Sequence, residues 1–273
     1  MMLKFAVFGN PISHSISPLL HNYAIKEFGI DGFYGRVCLS KTESKFALKN
    51  SFEKLGLSGA NITLPFKEIG LSICDELSSD AKEIGSVNTI VKRSDEIYGY
   101  NTDTSGFFDA AVSMGEFKNA LIIGCGGTTK AISYILYKNR VKFDILNRTK
   151  RDEKTIELLK CDNFYTWDDK ELLDGRYDLV INATSAGLND EFLPAPKELL
   201  ELLLKRAKFG FDLIYGKNTP FLQLCLKNSL IAKDGLDMLI GQAVLAFELF
   251  FDGKFKKEEI ALLMKKAAAL RVF

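Results

Sequence analysis

Ala120-Leu-Ile-Ile-Gly124-Cys125-Gly126-Gly127-Thr128-Thr129-Lys130-Ala131 is a short apolar run that enters glycines and leaves into a segment of helical periodicity. An uncharged, β-prone run of this kind reads as a buried strand. Glycines behind it let backbone N–H groups and a helix N-terminus approach a pyrophosphate, whose charge the helix dipole favours. The spacing departs from G-x-G-x-x-G/A because Thr129 holds the third position, and a tight strand-to-helix turn with no ligand is the competing reading. Further along come KFDILN, a charged helix near residues 151 to 160, DLVINAT and KFGFDLI, the order of a doubly wound nucleotide-binding unit.

Upstream, LKFAVFG, SPLLHNYAIKEF, FYGRVCL, SKFALKNSFEKL and GANITL alternate apolar runs with helical segments. That alternation predicts an α/β fold with a largely parallel sheet. A helix-like TSGFFDAAVSMG follows Asp103, and the stretch from Leu236 onward reads as two helices joined by FDGKF. A length of 273 residues suits about two domains, and 47% hydrophobic with 26% charged residues is ordinary for globular chains.

Thirty-six Lys and Arg against 35 Asp and Glu give +1, with no basic tail, so nucleic acid and membrane surfaces are poor candidates as partners. The five cysteines, Cys38, Cys74, Cys125, Cys161 and Cys225, form no CxxC pair and fit a reducing compartment. His14 and His21 are the only histidines and have no flanking Cys, which argues against a metal site. MMLKFAVFGN has too short an apolar stretch for a signal peptide, and no run of about 18 uncharged apolar residues occurs, so a cytoplasmic location is expected.

About 20 residues past the glycines, an NAD-binding unit would place an acidic residue on the ribose. Asn147-Arg148-Thr149-Lys150-Arg151 stands there instead. Three cations with amide and hydroxyl donors suit a 2′-phosphate, although Asp152 follows and a helix start with solvated charges is the alternative.

Four further clusters are too polar for ordinary joints: Asn10 to Pro18, Gly59 to Lys67, Ser86 to Thr89 and Gly99 to Asp103. Ser17 before Pro18 reads as a helix N-cap, whereas Ser15 has no such role. Asn61 and Thr63 alternate as on one strand face, and Lys67 falls just past Pro65 at a strand's C-terminal end. With Asn88 and Asp103 they make a Lys–Asp pair among neutral hydrogen-bonding groups, suited to a small polyhydroxylated acid beside a nicotinamide.

On these motifs, from Gly9 to about Glu248, the chain resembles the shikimate dehydrogenases, NADP-linked enzymes of aromatic amino-acid and chorismate biosynthesis. The resemblance implies that Ser15 and Ser17 hold the substrate carboxylate and that Thr63 contacts substrate. Lys67 is then the catalytic acid/base, and Asn88 and Asp103 reach the hydroxyls. It assigns the cofactor NADP to Gly124, Cys125, Gly126, Gly127 and Thr128, to Asn147, Arg148, Thr149, Lys150 and Arg151, and to Thr184, Leu213 and Gly235. Tyr215 and Gln242 face substrate.

The implied architecture is a substrate domain of residues 1–102 and 236–273 and a Rossmann-like NADP-binding domain of residues 103–235, with the active site in the cleft between them. The implied reaction is the reversible NADPH-dependent reduction of 3-dehydroshikimate to shikimate by a monomer or homodimer. An NAD-linked quinate/shikimate dehydrogenase is the alternative enzyme, disfavoured because such relatives place an Asp near Thr149 or Lys150. A sensor of the same fold is a third reading, against which Lys67 and Asp103 stand.

Overall fold

The computed structural model describes residues 2–40, 45–173 and 176–270. Ser44, at the start of the expected second helix, and residues 271–273 lie outside them. The chain divides into two compact units, Met1–Asp103 with Ile240–Phe273, and Thr104–Leu239.

The first unit runs β1 (Leu3–Gly9), α1 (Ser17–Glu27), β2 (Gly32–Cys38), α2 (Lys45–Lys54), β3 (Gly59–Ile62), α3 (Lys67–Leu71), β4 (Glu76–Leu77), α4 (Ser79–Ile84), β5 (Thr89–Arg93) and β6 (Glu96–Tyr100). Its sheet has the order β2-β1-β3-β5-β6-β4. The β1–β2, β1–β3 and β4–β6 pairs are parallel, while β3–β5 and β5–β6 are antiparallel. The sheet is therefore mixed: the polar stretches around residues 86–103 frame a hairpin whose tight turn carries Ser94 at φ 54°.

That hairpin positions the polar residues. Because β5 runs against β3 and β6 against β5, the end of β3, the start of β5 and the end of β6 share one sheet edge. Phe5 to Phe8, Ala60 and Ile62 are buried at the sheet's centre, as a strand covered on both faces requires.

The second unit continues with α5 (Asp103–Val112), β7 (Asn119–Ile123), α6 (Gly127–Lys138), β8 (Lys142–Asn147), α7 (Glu153–Leu159), β9 (Asn163–Thr166), a 3-10 turn at Trp167–Leu172, β10 (Leu179–Asn182), α8 (Lys197–Leu204), β11 (Phe209–Asp212), α9 (Pro220–Lys227) and β12 (Ile231–Lys233). The sheet order is β12-β11-β10-β7-β8-β9. Every pair is parallel, the doubly wound dinucleotide-binding arrangement with its order reversing at β7. Leu121, Ile123 and Val180 pack with Leu199, Leu200, Leu203 and Leu204 on one side, and Ile122 and Ile181 with Ile132 and Phe107 on the other. α10 (Leu236–Phe250) and α11 (Lys257–Ala269) end the chain. Among the described residues no helix is long and apolar enough to cross a membrane.

Candidate active site

Lys67 opens α3 at the end of a turn in which Phe66 N–H donates to the Thr63 carbonyl, and Val87 N–H donates to the Lys67 carbonyl at 3.0 Å. Its Nζ lies 2.6 Å from Oδ2 of Asp103, the first residue of α5, and both residues are buried. Asn88, just before β5, donates to Asp103 Oδ1 at 2.9 Å and to Thr102 Oγ1 at 3.0 Å, while its own oxygen accepts from Thr102 N–H and the Thr89 hydroxyl. The Asn88 amide is thus committed to holding Asp103.

Behind it, Asn61 donates to Thr89 Oγ1 at 3.0 Å and accepts from the Tyr34 hydroxyl at 2.6 Å. Asn61 is therefore a support in the sheet rather than the partner of Thr63, which lies one residue past β3. Thr89 and Thr102 fall inside the polar clusters Ser86 to Thr89 and Gly99 to Asp103, whereas Tyr34, on β2, carries no motif signal and is revealed only by its bond to Asn61.

Ser15 and Ser17 are buried at the approach to α1. The expected cap is not formed: α1 starts at Ser17 itself, Ile16 occupies the N-cap position, and no side chain caps the helix. Ser15 has the local role instead, its Oγ accepting from Ser17 N–H at 3.3 Å, with Arg36 donating twice to its carbonyl. No acidic residue stands in the first turn of α1, so the positive end of the dipole is uncompensated there. Gln242 is buried in the first half of α10. His21 is no ligand; it lies in the core, stacked on Tyr34 with ring centroids 4.2 Å apart.

In the second unit, the residues assigned to the cofactor lie at or just past the C-terminal ends of strands, where doubly wound sheets place ligands. Gly124 has φ +106°, and Gly126 precedes the first turn of α6. The Thr129 hydroxyl accepts from Gly126 N–H at 3.1 Å and donates to the Gly124 carbonyl at 3.2 Å, so the buried threonine stitches the loop where the motif expects a small residue. A Cβ on Gly126 would meet nothing within 4 Å. That open space above a 12-residue helix without first-turn acids fits a pyrophosphate.

Arg148, Thr149 and Lys150 are exposed after β8. Asn147 Nδ2 donates to the Thr149 carbonyl at 2.7 Å, and Arg151 donates to the Cys125 carbonyl at 3.3 Å, tying the cationic turn to the glycine loop. Burial raises the Cys125 thiol pKa, and Arg151 opposes that shift. Asp152 does not compete for a ribose: its carboxylate caps α7, accepting from Thr155 N–H at 2.9 Å and the Thr155 hydroxyl at 2.7 Å, which lowers its pKa. Thr128 is half-buried in the first turn of α6.

Thr184 donates through both its N–H and hydroxyl to Asn182 Oδ1. Asn182 in turn donates to the wholly buried Asp212, which also accepts from Ile214 N–H and the Thr219 hydroxyl. A polar residue closing an otherwise apolar strand, as in LVIN and FGFD, is the signal that could have found Asn182 and Asp212. Leu213 and Tyr215 lie half-buried on the segment after β11. Gly235 turns tightly against it, because a Cβ there would lie 2.3 Å from the Leu213 carbonyl oxygen.

A relative from Helicobacter hepaticus, "Shikimate dehydrogenase (NADP(+))", is 43% identical over 264 residues, covering 96% of this chain and 96% of its own length. The chain belongs to the shikimate dehydrogenase family. Residues 7–90 match the shikimate dehydrogenase substrate binding domain, the stretch that carries Ser15, Ser17, Thr63, Lys67 and Asn88. The crystal structure of shikimate dehydrogenase from Aquifex aeolicus is 32% identical with a TM-score of 0.84, covering 98% of this chain and 97% of that one. The shikimate dehydrogenase of Thermus thermophilus in complex with NADP(H) and shikimate is 29% identical with a TM-score of 0.82, covering 97% of this chain and all of that one.

Proposed function

We infer that this shikimate dehydrogenase reversibly reduces 3-dehydroshikimate to shikimate with NADPH, a step of the shikimate pathway, with substrate held by the first unit and NADP by the second. The observation that carries this reading is the buried Lys67–Asp103 pair at 2.6 Å, a proton donor and its orienting carboxylate placed among amides and hydroxyls. When bound, NADPH supplies a hydride to the carbonyl carbon. Lys67 stabilises the negative charge developing on the carbonyl oxygen and delivers a proton to it from Nζ. In the reverse direction Nζ takes that proton back.

Asp103 fixes the ammonium through one oxygen, and Asn88 fixes Asp103 through the other. The hydroxyls of Ser15 and Ser17 and the uncompensated N-terminus of α1 receive the substrate carboxylate, with Thr63, Tyr215 and Gln242 as further substrate contacts. Arg148 and Lys150 take the 2′-phosphate, Arg151 steadies the glycine loop through the Cys125 carbonyl, and Gly124 to Thr128 cradle the pyrophosphate. Thr184, Leu213 and Gly235 line the nicotinamide half, as the second half of a doubly wound sheet does.

Following absorbance of the reduced cofactor with shikimate or quinate, and NADP or NAD, tests this directly. Fast turnover only with shikimate and NADP is expected. Turnover with quinate and NAD in preference would replace the reading with the NAD-linked enzyme, and no turnover with any pair would leave a binding protein.

A further inference from the structure

Asp212 closes β11 with no exposed surface, and its two oxygens accept three hydrogen bonds: from Asn182 Nδ2 at 3.1 Å, Ile214 N–H at 3.0 Å and the Thr219 hydroxyl at 2.5 Å. Each of these three hydrogen bonds favours the ionised form and opposes the effect of burial. Asp234 stands close by, accepting from Gly216 N–H at 2.8 Å and Leu236 N–H at 3.1 Å. Among the described residues neither carboxylate has a cation within ion-pair distance.

Geometry alone does not ask for a charge at position 212. An asparagine could accept from Asn182 and Ile214 through its oxygen and donate to the Thr219 hydroxyl through its nitrogen. An unpaired buried carboxylate is costly where a neutral isostere would hold the same loops. Burial, with Asp234 adding to it, indeed raises the Asp212 pKa.

The two carboxylates lie under the segments after β10, β11 and β12, the half of a doubly wound sheet opposite the adenosine-binding half on β7 and β8. The ring that occupies this half carries a positive charge when oxidised and none when reduced. We propose that Asp212, assisted by Asp234, acts as an electrostatic positioning residue that favours the oxidised over the reduced nicotinamide cofactor. The proposal rests on the reading that the second unit binds NADP.

The test measures the dissociation constants of NADPH, by its fluorescence, and of NADP+, by competition, at one pH and salt concentration. At an effective interior dielectric of about 20, a full charge acting across roughly 10 Å is worth about tenfold in affinity. Asp212→Asn should therefore weaken NADP+ relative to NADPH by about that factor, and Asp234→Asn should do so in the same direction by less. A purely structural role would weaken both cofactors equally and leave the ratio unchanged, which overturns the proposal while leaving NADP binding intact. If Asp212→Asn does not fold, an unchanged ratio in Asp234→Asn overturns it. Wild-type protein that binds neither cofactor would instead overturn the underlying reading, and the proposal with it.

Discussion

Nζ of Lys67 and Oδ2 of Asp103 are 2.6 Å apart, with side chains only 10% and 9% exposed, and the second oxygen of Asp103 is held by Asn88 at 2.9 Å. A pair so buried is sensitive to loss of either member but in different ways. Lys67→Ala should lower kcat by roughly 10²–10⁴ with a much smaller change in the KM for shikimate. Asp103→Asn leaves a buried ammonium without its counter-charge, at a cost of about 3–5 kcal/mol in stability, and should damage kcat and KM together. Steady-state kinetics and urea unfolding separate the two. Equal losses in KM and kcat for Lys67→Ala would make Lys67 a substrate clamp.

Two glycines of the loop after β7 should fail for different reasons. At Gly124, φ is +106° and a Cβ would lie 2.8 Å from Thr184 Cγ2, so Gly124→Ala should cost about 1–3 kcal/mol in stability. At Gly126 a Cβ meets nothing, so Gly126→Ala should melt within a few degrees of wild type yet bind NADPH more weakly, because the methyl enters the space above the N-terminus of α6. Melting curves with an NADPH titration check both. Unchanged NADPH affinity in Gly126→Ala would remove that space from the cofactor site.

The second unit was legible from sequence because its signal is local: an apolar strand, glycines and a helix are consecutive, and further apolar strands alternate with helical segments beyond them. Lys67, Asn88 and Asp103 were legible as residue types out of place among apolar runs. Their support was not. Tyr34 reaches Asn61, and Asn61 reaches Thr89, across strands paired by register rather than by neighbourhood in the chain. Ser17 misled for a physical reason: the bond from its own N–H to Ser15 Oγ turns the chain, so the helix starts one residue earlier than a cap at Ser17 would allow. Asp152, an acid close to the ribose position in sequence, is occupied by its capping bonds to Thr155, which only the structure reveals.

The cationic turn after β8 separates into two roles. Arg148 is exposed, whereas Arg151 is bound to the Cys125 carbonyl. Losing a charge-assisted hydrogen bond to a phosphate costs about 1.5–3 kcal/mol, or roughly 10- to 150-fold in affinity, so Arg148→Ala should weaken NADP by that factor and NAD little. Arg151→Ala should weaken both cofactors alike, because it frees the loop that holds the pyrophosphate they share. Titrating NADP and NAD into each variant tests the division. If Arg148→Ala loses both cofactors equally, the 2′-phosphate lies elsewhere.

His21 gives the protein a built-in sensitivity to acid. Its ring stacks on Tyr34 and lies near-parallel to Phe247, both nitrogens lack hydrogen-bond partners, and burial lowers its pKa from 6.5 to about 3. Between those values the unfolded chain binds a proton that the folded one refuses. The stability that this residue contributes is therefore fully present above pH 6.5 and falls as the pH drops towards 3, by up to about 1.4 kcal/mol per pH unit. His21→Phe keeps a stacking ring and removes both nitrogens. Its stability at pH 7.5 should match or exceed wild type, because no polar atom is left buried without a partner. Below pH 6.5 its stability should fall less steeply than wild type. Urea unfolding of the two proteins at pH 7.5, 6 and 5 measures the difference, and parallel curves would mean that the buried imidazole accepts its proton in the folded state as readily as in the unfolded one.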